Sequence, residues 1–187
     1  MTMLLAFTPF LIFLVLERVV SVEVGLVGAA VTALALLGKD VLVHKQSAKV
    51  LEVGTVLLFG GLATYGATLH GAAWSTALVR LSVDGGLLAI VLVSLAIRRP
   101  FTLQYARESV PRELWTQPAF VRINYVITSV WAAAFAAIFA SDVAWVMRPN
   151  MPTAVMIVVT LVAMAGAFKF TSWYPAYARG KMPQPAQ

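Results

Sequence analysis

Ionisable side chains inside apolar segments are the residues of this sequence whose spacing could support chemistry. Arg80 and Asp84 lie four residues apart in an apolar stretch, so on a helix they share one face and can form an ion pair. Glu17 and Arg18 are expected in the same half of the membrane. Because burying such groups in lipid is costly, the four form a candidate intramembrane polar network. Such a network could hold a bundle together or form part of a proton or ion path.

Other residue types with catalytic or ligand-binding potential are sparse or badly placed. Most ionisable residues of the apolar stretches lie near their ends, where snorkelling to the interface accounts for them: Glu17, Arg18, Glu52, Asp142 and Lys169. His44 and His70 are expected at opposite membrane faces, and cysteine is absent. No Ser/His/Asp grouping or glycine-rich phosphate loop is present. The sequence therefore predicts a non-enzymatic protein with no catalytic residue, no metal and no cofactor.

A basic and aromatic segment after the fourth apolar stretch is the second candidate site. Residues 98–120 read as an interfacial loop, with apolar side chains in the headgroup region and arginines reaching anionic lipid. An ordinary basic connector and a partner-docking surface are both compatible with this composition. The candidate lipid- or partner-docking residues are Arg98, Arg99, Tyr105, Arg107, Arg112 and Trp115.

The composition places these residues in a membrane protein. Apolar residues make up 60% of the 187, charged residues 12%, and the mean hydropathy is +0.86. A soluble domain carries about twice that charged fraction. The chain could not cover a water-facing surface, so no soluble domain is expected. The net charge of +6 fits cytoplasmic loops that orient a membrane protein, and nucleic-acid binding is not predicted.

Continuous apolar stretches predict an all-α polytopic bundle of about six transmembrane helices joined by short loops. The first two stretches are short and nearly contiguous, so five spans is the alternative. The single helical domain is expected to cover residues 1–174, followed by a disordered cytoplasmic tail at 175–187. The six stretches are Leu4–Val20, Val22–Leu37, Val50–Leu69, Leu78–Ile97, Val121–Ala140 and Thr153–Phe170.

Positive charges predict the orientation of this bundle. Eleven of the fourteen Lys and Arg residues fall on one side, in the 2–3 loop, the 4–5 loop and the C-terminal end. Arg18, Arg80 and Arg148 fall on the other side. The positive-inside rule places the basic loops and the C-terminus in the cytoplasm.

Small residues are concentrated on several of the apolar stretches. Gly60-Gly61 in the third and Gly85-Gly86 in the fourth are examples, and the fifth and sixth are rich in alanine. Small faces let helices approach closely and pack by van der Waals contact. The packing could lie within one chain or between copies in a homo-oligomer.

Four co-linear motifs resemble the intracellular septation protein A family of bacterial inner-membrane proteins. They are Phe7-Thr8-Pro9-Phe10, Leu58-Phe59-Gly60-Gly61-Leu62, Arg98-Arg99-Pro100 and Arg122-Ile123-Asn124. The resemblance implies an inner-membrane protein that acts in septation or cell-envelope biogenesis through contacts with membrane partners. It carries over no catalytic residue.

The chain departs from the family pattern at two places. A Lys- and Trp-bearing stretch before the fourth helix is replaced here by Ala73-Trp74-Ser75, and the tryptophan expected just after Asn124 is absent, with Trp131 two turns further on. Two other functions therefore stay open: a small ion or solute transporter using Arg80 and Asp84, and an accessory subunit of a larger membrane complex. The expected partners are anionic membrane lipids and other membrane proteins.

Overall fold

The computed structural model describes residues 3–68, 75–148 and 150–180, apart from the side chains of Leu4 and Arg179. Over these ranges the chain is helical and has no strand, which confirms the predicted all-α bundle. His70, Trp74 and Lys181 lie outside the described residues. The α-helices are α1 Thr8–Val19, α2 Val22–Gly38, α3 Val50–Thr68, α4 Thr76–Ala96, α5 Phe101–Ala106, α6 Pro118–Met147 and α7 Thr153–Gly180.

Within the described ranges five helices, namely α2, α3, α4, α6 and α7, are long and apolar enough to cross a membrane. The chain is thus a multi-pass membrane protein. The first predicted span is a 3₁₀ segment, Met3–Phe7, followed by the 12-residue α1, and it is not among the five. This N-terminal segment still runs along the bundle, because Met3 lines a cavity at one end and Glu17 pairs with Arg80 at the other.

Ser21 separates the first two helices. It has an extended backbone, and its hydroxyl accepts a hydrogen bond from the Val24 amide at 3.3 Å, which caps the N-terminus of α2. The two helices then pack closely at Gly25, where an added Cβ would lie 3.1 Å from the Glu17 nitrogen and 3.2 Å from the Phe13 oxygen. A larger residue at Gly25 would push the α1–α2 hairpin apart.

An aromatic core fills the middle of the bundle. Trp131 is fully buried, stacks on Phe7 at 5.1 Å between ring centroids, and donates from Nε1 to Thr171 Oγ1 at 2.9 Å. Phe10 and Phe13 of α1 both contact Phe59 of α3. Lipid tails are as apolar as these rings, so close packing rather than exclusion from water stabilises the core.

The boundaries of two predicted segments shift. The last helix continues through Pro175 to Gly180, so the helical region extends six residues past the predicted boundary at 174, and 181–187 lie outside the described residues. Within the predicted loop 98–120, Phe101–Ala106 is helical, and α6 already begins at Pro118, since proline suits the first turn of a helix.

The small-residue faces divide into packed and open positions. Gly54 and Gly86 lie where α3 meets α4, with Ile90 and Leu58 against them, and Gly85 lies against Phe139. By contrast, nothing lies within 4 Å of a Cβ added at the other described glycines of α3, Gly60, Gly61 and Gly66. The packed glycines confirm close approach of helices within one chain.

Candidate functional site

A buried lysine holds one end of the bundle together. Lys49 Nζ lies 2.7 Å from Asp40 Oδ2, 2.9 Å from Glu52 Oε1 and 2.8 Å from Glu108 Oε1. The Tyr105 ring lies beneath the same ammonium group, with its centroid 5.1 Å from Nζ. We call these five residues the lysine cluster, and the end of the bundle that holds them the lysine end.

Helix ends position the lysine cluster. Asp40 lies on a π-helical turn, Lys39–Val43, that extends α2, and Lys49 immediately precedes α3. Glu52 in the first turn of α3 accepts from the Lys49 backbone amide at 3.4 Å, so it also caps that helix. The next amide, Val50, donates to the Gln104 side chain of α5 at 2.9 Å. The 2–3 connection is thereby joined to the 4–5 loop.

The surroundings of Lys49 and Tyr105 decide their protonation. Burial alone would lower the pKa of Lys49, but hydrogen bonds to Asp40, Glu108 and Glu52 outweigh it and raise that pKa above its ordinary value. Burial, and then the charge of Glu52 3.4 Å from the hydroxyl, raises the pKa of Tyr105. At neutral pH the site therefore holds a charged ammonium and a neutral phenol.

Sequence reasoning missed the lysine cluster. Glu52 was expected to snorkel, yet it is 5% exposed, and Asp40 is fully buried. Snorkelling fails for Glu52 because Lys49, three residues earlier, neutralises it inside the protein. The available signal was this Lys–Glu spacing at a predicted helix start, together with an acidic residue at the end of the preceding helix.

The 4–5 loop presents an ordered aromatic and basic surface. Two guanidinium groups contact the Trp115 ring, with Arg107 Cζ 5.5 Å and Arg112 Cζ 5.6 Å from its centroid. Its Nε1 donates to the Arg107 carbonyl at 3.1 Å. We call residues 107–115 the Trp115 platform. Cation–π contacts of this kind contribute about 0.5–1 kcal/mol at exposed sites.

The remaining candidates from this loop divide between surface and interior. Arg98 and Arg99 are exposed at the end of α4, where Arg98 adopts a left-handed backbone conformation (φ 58°) and the Arg99 amide bonds to the Ser94 carbonyl. This is the usual geometry of a helix C-terminus. Tyr105 is 4% exposed and faces the lysine cluster, so it contributes no outer surface.

The candidate polar network at the opposite end has different pairs from those predicted. Arg80 forms its ion pair with Glu17 of α1, and Asp84 faces the carboxyl group of Asp142 from α6. The predicted Arg80–Asp84 ion pair is not formed among the described residues, because α1 and α6 supply closer partners. Arg18 is exposed and takes no part. We call Glu17, Arg80, Asp84 and Asp142 the carboxyl cluster.

Burial in the carboxyl cluster also corrects a prediction. Asp142 is 4% exposed and the Glu17 side chain 1% exposed, and among the described residues neither Asp142 Oδ2 nor Glu17 Oε2 has a hydrogen-bond partner. Both carboxyl groups are therefore buried within the bundle and do not snorkel to the interface. On α1 the core residues Phe10 and Phe13 precede Glu17, and on α6 Trp131 and Phe135 precede Asp142, so the aromatic core lies between this cluster and the lysine end. Among the described residues no group of three or more His, Cys, Asp or Glu is arranged to hold a metal ion.

A cavity of about 810 Å³ opens at the lysine end, beside the Trp115 platform. The platform and α5 form one side, the first turns of α6 form another, and Met3, Thr171 and Pro175 complete it. Tyr105 and Glu108 contribute to both the cavity wall and the lysine cluster. The volume lies within the roughly 300–1,000 Å³ typical of small-molecule sites.

Comparison of the chain with protein-family models, curated proteins and solved structures gives no match. The resemblance to the intracellular septation protein A family stays a prediction. Three phenylalanines of the motifs behind that resemblance, Phe7, Phe10 and Phe59, lie in the aromatic core. The motif Arg98-Arg99-Pro100 directly follows the C-terminus of α4.

Proposed function

We propose that this chain is a non-enzymatic membrane protein that acts by binding other membrane proteins through the Trp115 platform. We further propose that it lies in a bacterial inner membrane with the platform in the cytoplasm. The uneven distribution of positive charge supports that orientation. A role in septation or envelope biogenesis follows from the family resemblance alone.

The observation that carries this proposal is the attachment of the 4–5 loop to the bundle. Glu108, at the start of the platform, is bound to the buried Lys49, and Gln104 bonds to the first amide of α3. A surface that is ordered before a partner arrives loses less conformational entropy on binding. Arginine and tryptophan are also the residue types enriched among those that dominate binding energies.

The test is a pull-down from intact membranes with the full chain carrying Arg107→Glu and Arg112→Glu. We expect the amount of co-purifying membrane protein to fall about tenfold or more, because charge reversal opposes the partner's acidic groups. Lys39→Glu with Lys45→Glu is the matched control, since both lysines are exposed at the same end and outside the platform.

Equal recovery of partners by the platform variant and the unmodified chain, with both inserted in the membrane, would contradict partner docking. A stoichiometric partner that survives detergent would instead identify an accessory subunit of a larger complex.

A small transporter is the second candidate, and one observation favours it. Asp84 and Asp142 face one another in the apolar part of the bundle, and Asp142 Oδ2 has no hydrogen-bond partner there. Intramembrane carboxyl groups commonly mark proton or ion paths. The aromatic core between the two clusters speaks against a continuous path in this conformation. Proton or sodium flux in proteoliposomes, lost on Asp84→Asn, would support transport; absence of flux in the unmodified chain would exclude it for these ions.

A further inference from the structure

The cavity beside the Trp115 platform has an apolar inner wall, and its outer wall belongs to the segment that carries Arg107 and Arg112. Its inner wall comes from the first turns of α6, including Phe120, Ile123 and Ile127. Its outer wall comes from the platform segment, through Val110 and Leu114. The cavity therefore extends from the loop toward the apolar part of the bundle.

The polar side chains of the inner wall are already engaged. Thr102 Oγ1 lies 2.9 Å from the Asn124 carbonyl and 2.7 Å from Thr128 Oγ1. Asn124 Nδ2 donates to the Phe120 carbonyl at 2.9 Å, and Thr171 Oγ1 accepts from Trp131. A polar metabolite would find few free donors at this depth. A hydrocarbon chain requires none, because its contribution is van der Waals contact.

The two arginines of the platform segment flank the residues that line the cavity, Glu108 to Val110 and Leu114. Arg107 and Arg112 contact the Trp115 ring, and within the described part of the chain neither forms an ion pair. Arg107 Nε is buried and has no hydrogen-bond partner in the part of the chain that the structure describes. Arginine binds phosphate oxygens through paired N–H donors, and tryptophan favours the headgroup level of a bilayer.

We propose that the cavity binds one anionic phospholipid, with an acyl chain along the first turns of α6 and the phosphate between Arg107 and Arg112. The inference goes beyond partner docking and shares only the platform arginines with it. A lipid in this position would lie against Tyr105 and Glu108, and so would connect the occupancy of the cavity to the lysine cluster.

Native mass spectrometry of the purified full chain tests the proposal, with phosphatidylglycerol and phosphatidylcholine of equal acyl chains as probes. We expect one retained lipid and about a tenfold preference for phosphatidylglycerol, since each basic side chain near a lipid surface adds attraction for anionic headgroups. Arg107→Gln with Arg112→Gln should abolish the preference. Lys39→Gln with Lys45→Gln, which removes the same charge elsewhere at the lysine end, should preserve it.

Cavity-filling variants test the position of the acyl chain. Ala119→Trp and Ala106→Trp each place a large ring in the cavity and should remove the retained lipid. Ala165→Trp, on an exposed face of α7, should keep it. If the filled variants do not fold, a phosphatidylglycerol with a photoreactive acyl chain, added to the unmodified protein, should crosslink to residues 119–127.

Three results would overturn the proposal: lipid retained by folded cavity-filled variants, crosslinks spread over the outer faces of all helices, or a headgroup preference unaffected by the arginine changes. Displacement of phosphatidylglycerol by inorganic phosphate would identify a phosphate site instead of a lipid site. Loss of lipid from Ala119→Trp with normal partner recovery would separate this inference from the proposed docking function.

Discussion

The two ionisable clusters of this bundle differ in how their charges are compensated. In the lysine cluster one ammonium group bonds three carboxylates that come from three different segments of the chain. In the carboxyl cluster the guanidinium of Arg80 pairs with one carboxylate, and two further carboxyl groups face each other. The shared ammonium group of Lys49 joins three segments directly, whereas among the described residues the guanidinium of Arg80 forms an ion pair with only one of the three carboxyl groups of its cluster. The lysine end therefore offers a fixed surface for a partner, and the other end offers intramembrane carboxyl groups that could carry ions.

Removal of the central cation should have the largest effect. Lys49→Met leaves three carboxylates close together at buried positions, and breaking a buried ion pair costs about 3–5 kcal/mol. The free energy of unfolding, measured by SDS titration in mixed micelles, should fall by that amount. Lys49→Arg keeps the charge and should recover part of the loss. A loss below about 1 kcal/mol for Lys49→Met would be no larger than that of a surface ion pair. It would show that the buried lysine does not stabilise its end of the bundle more than such a pair.

The corresponding change at the other end should be smaller. Arg80→Met removes the partner of one carboxylate, and the Arg80 side chain keeps 14% exposure, so we expect a loss of about 1–3 kcal/mol in the same titration. Arg18→Met is the matched control. Arg18 directly follows Glu17 on α1 but is exposed, so its removal should change the free energy of unfolding little. A loss for Arg80→Met equal to that for Lys49→Met would show that the two clusters stabilise the bundle alike.

High pH should lower the contribution of the lysine cluster to the free energy of unfolding. The pKa values of Lys49 and Tyr105 are raised in the fold, so above about pH 10 the unfolded chain releases protons that the folded chain keeps. The unfolded state then binds fewer protons, and the free energy of unfolding falls as pH rises; below that pH the contribution is fully present. Unfolding titrations up to about pH 11 measure the fall.

A double variant isolates this contribution from that of the other lysines and tyrosines. Lys49→Met combined with Tyr105→Phe should decline less steeply with pH than the unmodified chain. Identical slopes for the two proteins would assign the pH dependence to other groups.

The smallest expected effect concerns the core between the clusters. Trp131→Phe retains an aromatic ring but removes the hydrogen bond from Nε1 to Thr171, and should cost about 0.5–1.5 kcal/mol for that bond, plus a packing term for the smaller ring. A double-mutant cycle with Thr171→Val separates the coupling from packing losses. Zero coupling would mean that packing alone holds Trp131 in the core.

Sequence reasoning located the right elements but assigned several side chains to the wrong surroundings. The predicted apolar stretches match the helices, although the fifth and sixth end at Ala140 and Phe170, well before the observed ends at Met147 and Gly180, and the first is not a long helix. Trp131 lies in the middle of the predicted span Val121–Ala140, and its hydrogen bond to Thr171 of α7 accounts for a polar ring atom at that depth. Glu52 and Asp142 were placed by their distance from a helix end alone, which does not reveal what lies beside them.

The sequence by itself determined that the chain is a multi-pass helical membrane protein, because hydropathy is a sum over local residues and only helices satisfy the backbone of such stretches. It also identified Glu17, Arg80 and Asp84 as ionisable residues within the predicted spans. Tertiary structure decided their partners, since spacing along one helix gives neighbours on that helix only. Glu17 reaches Arg80 across sixty-three residues, and Lys49 reaches Glu108 from another loop. Only the packing of separate segments could bring those groups together.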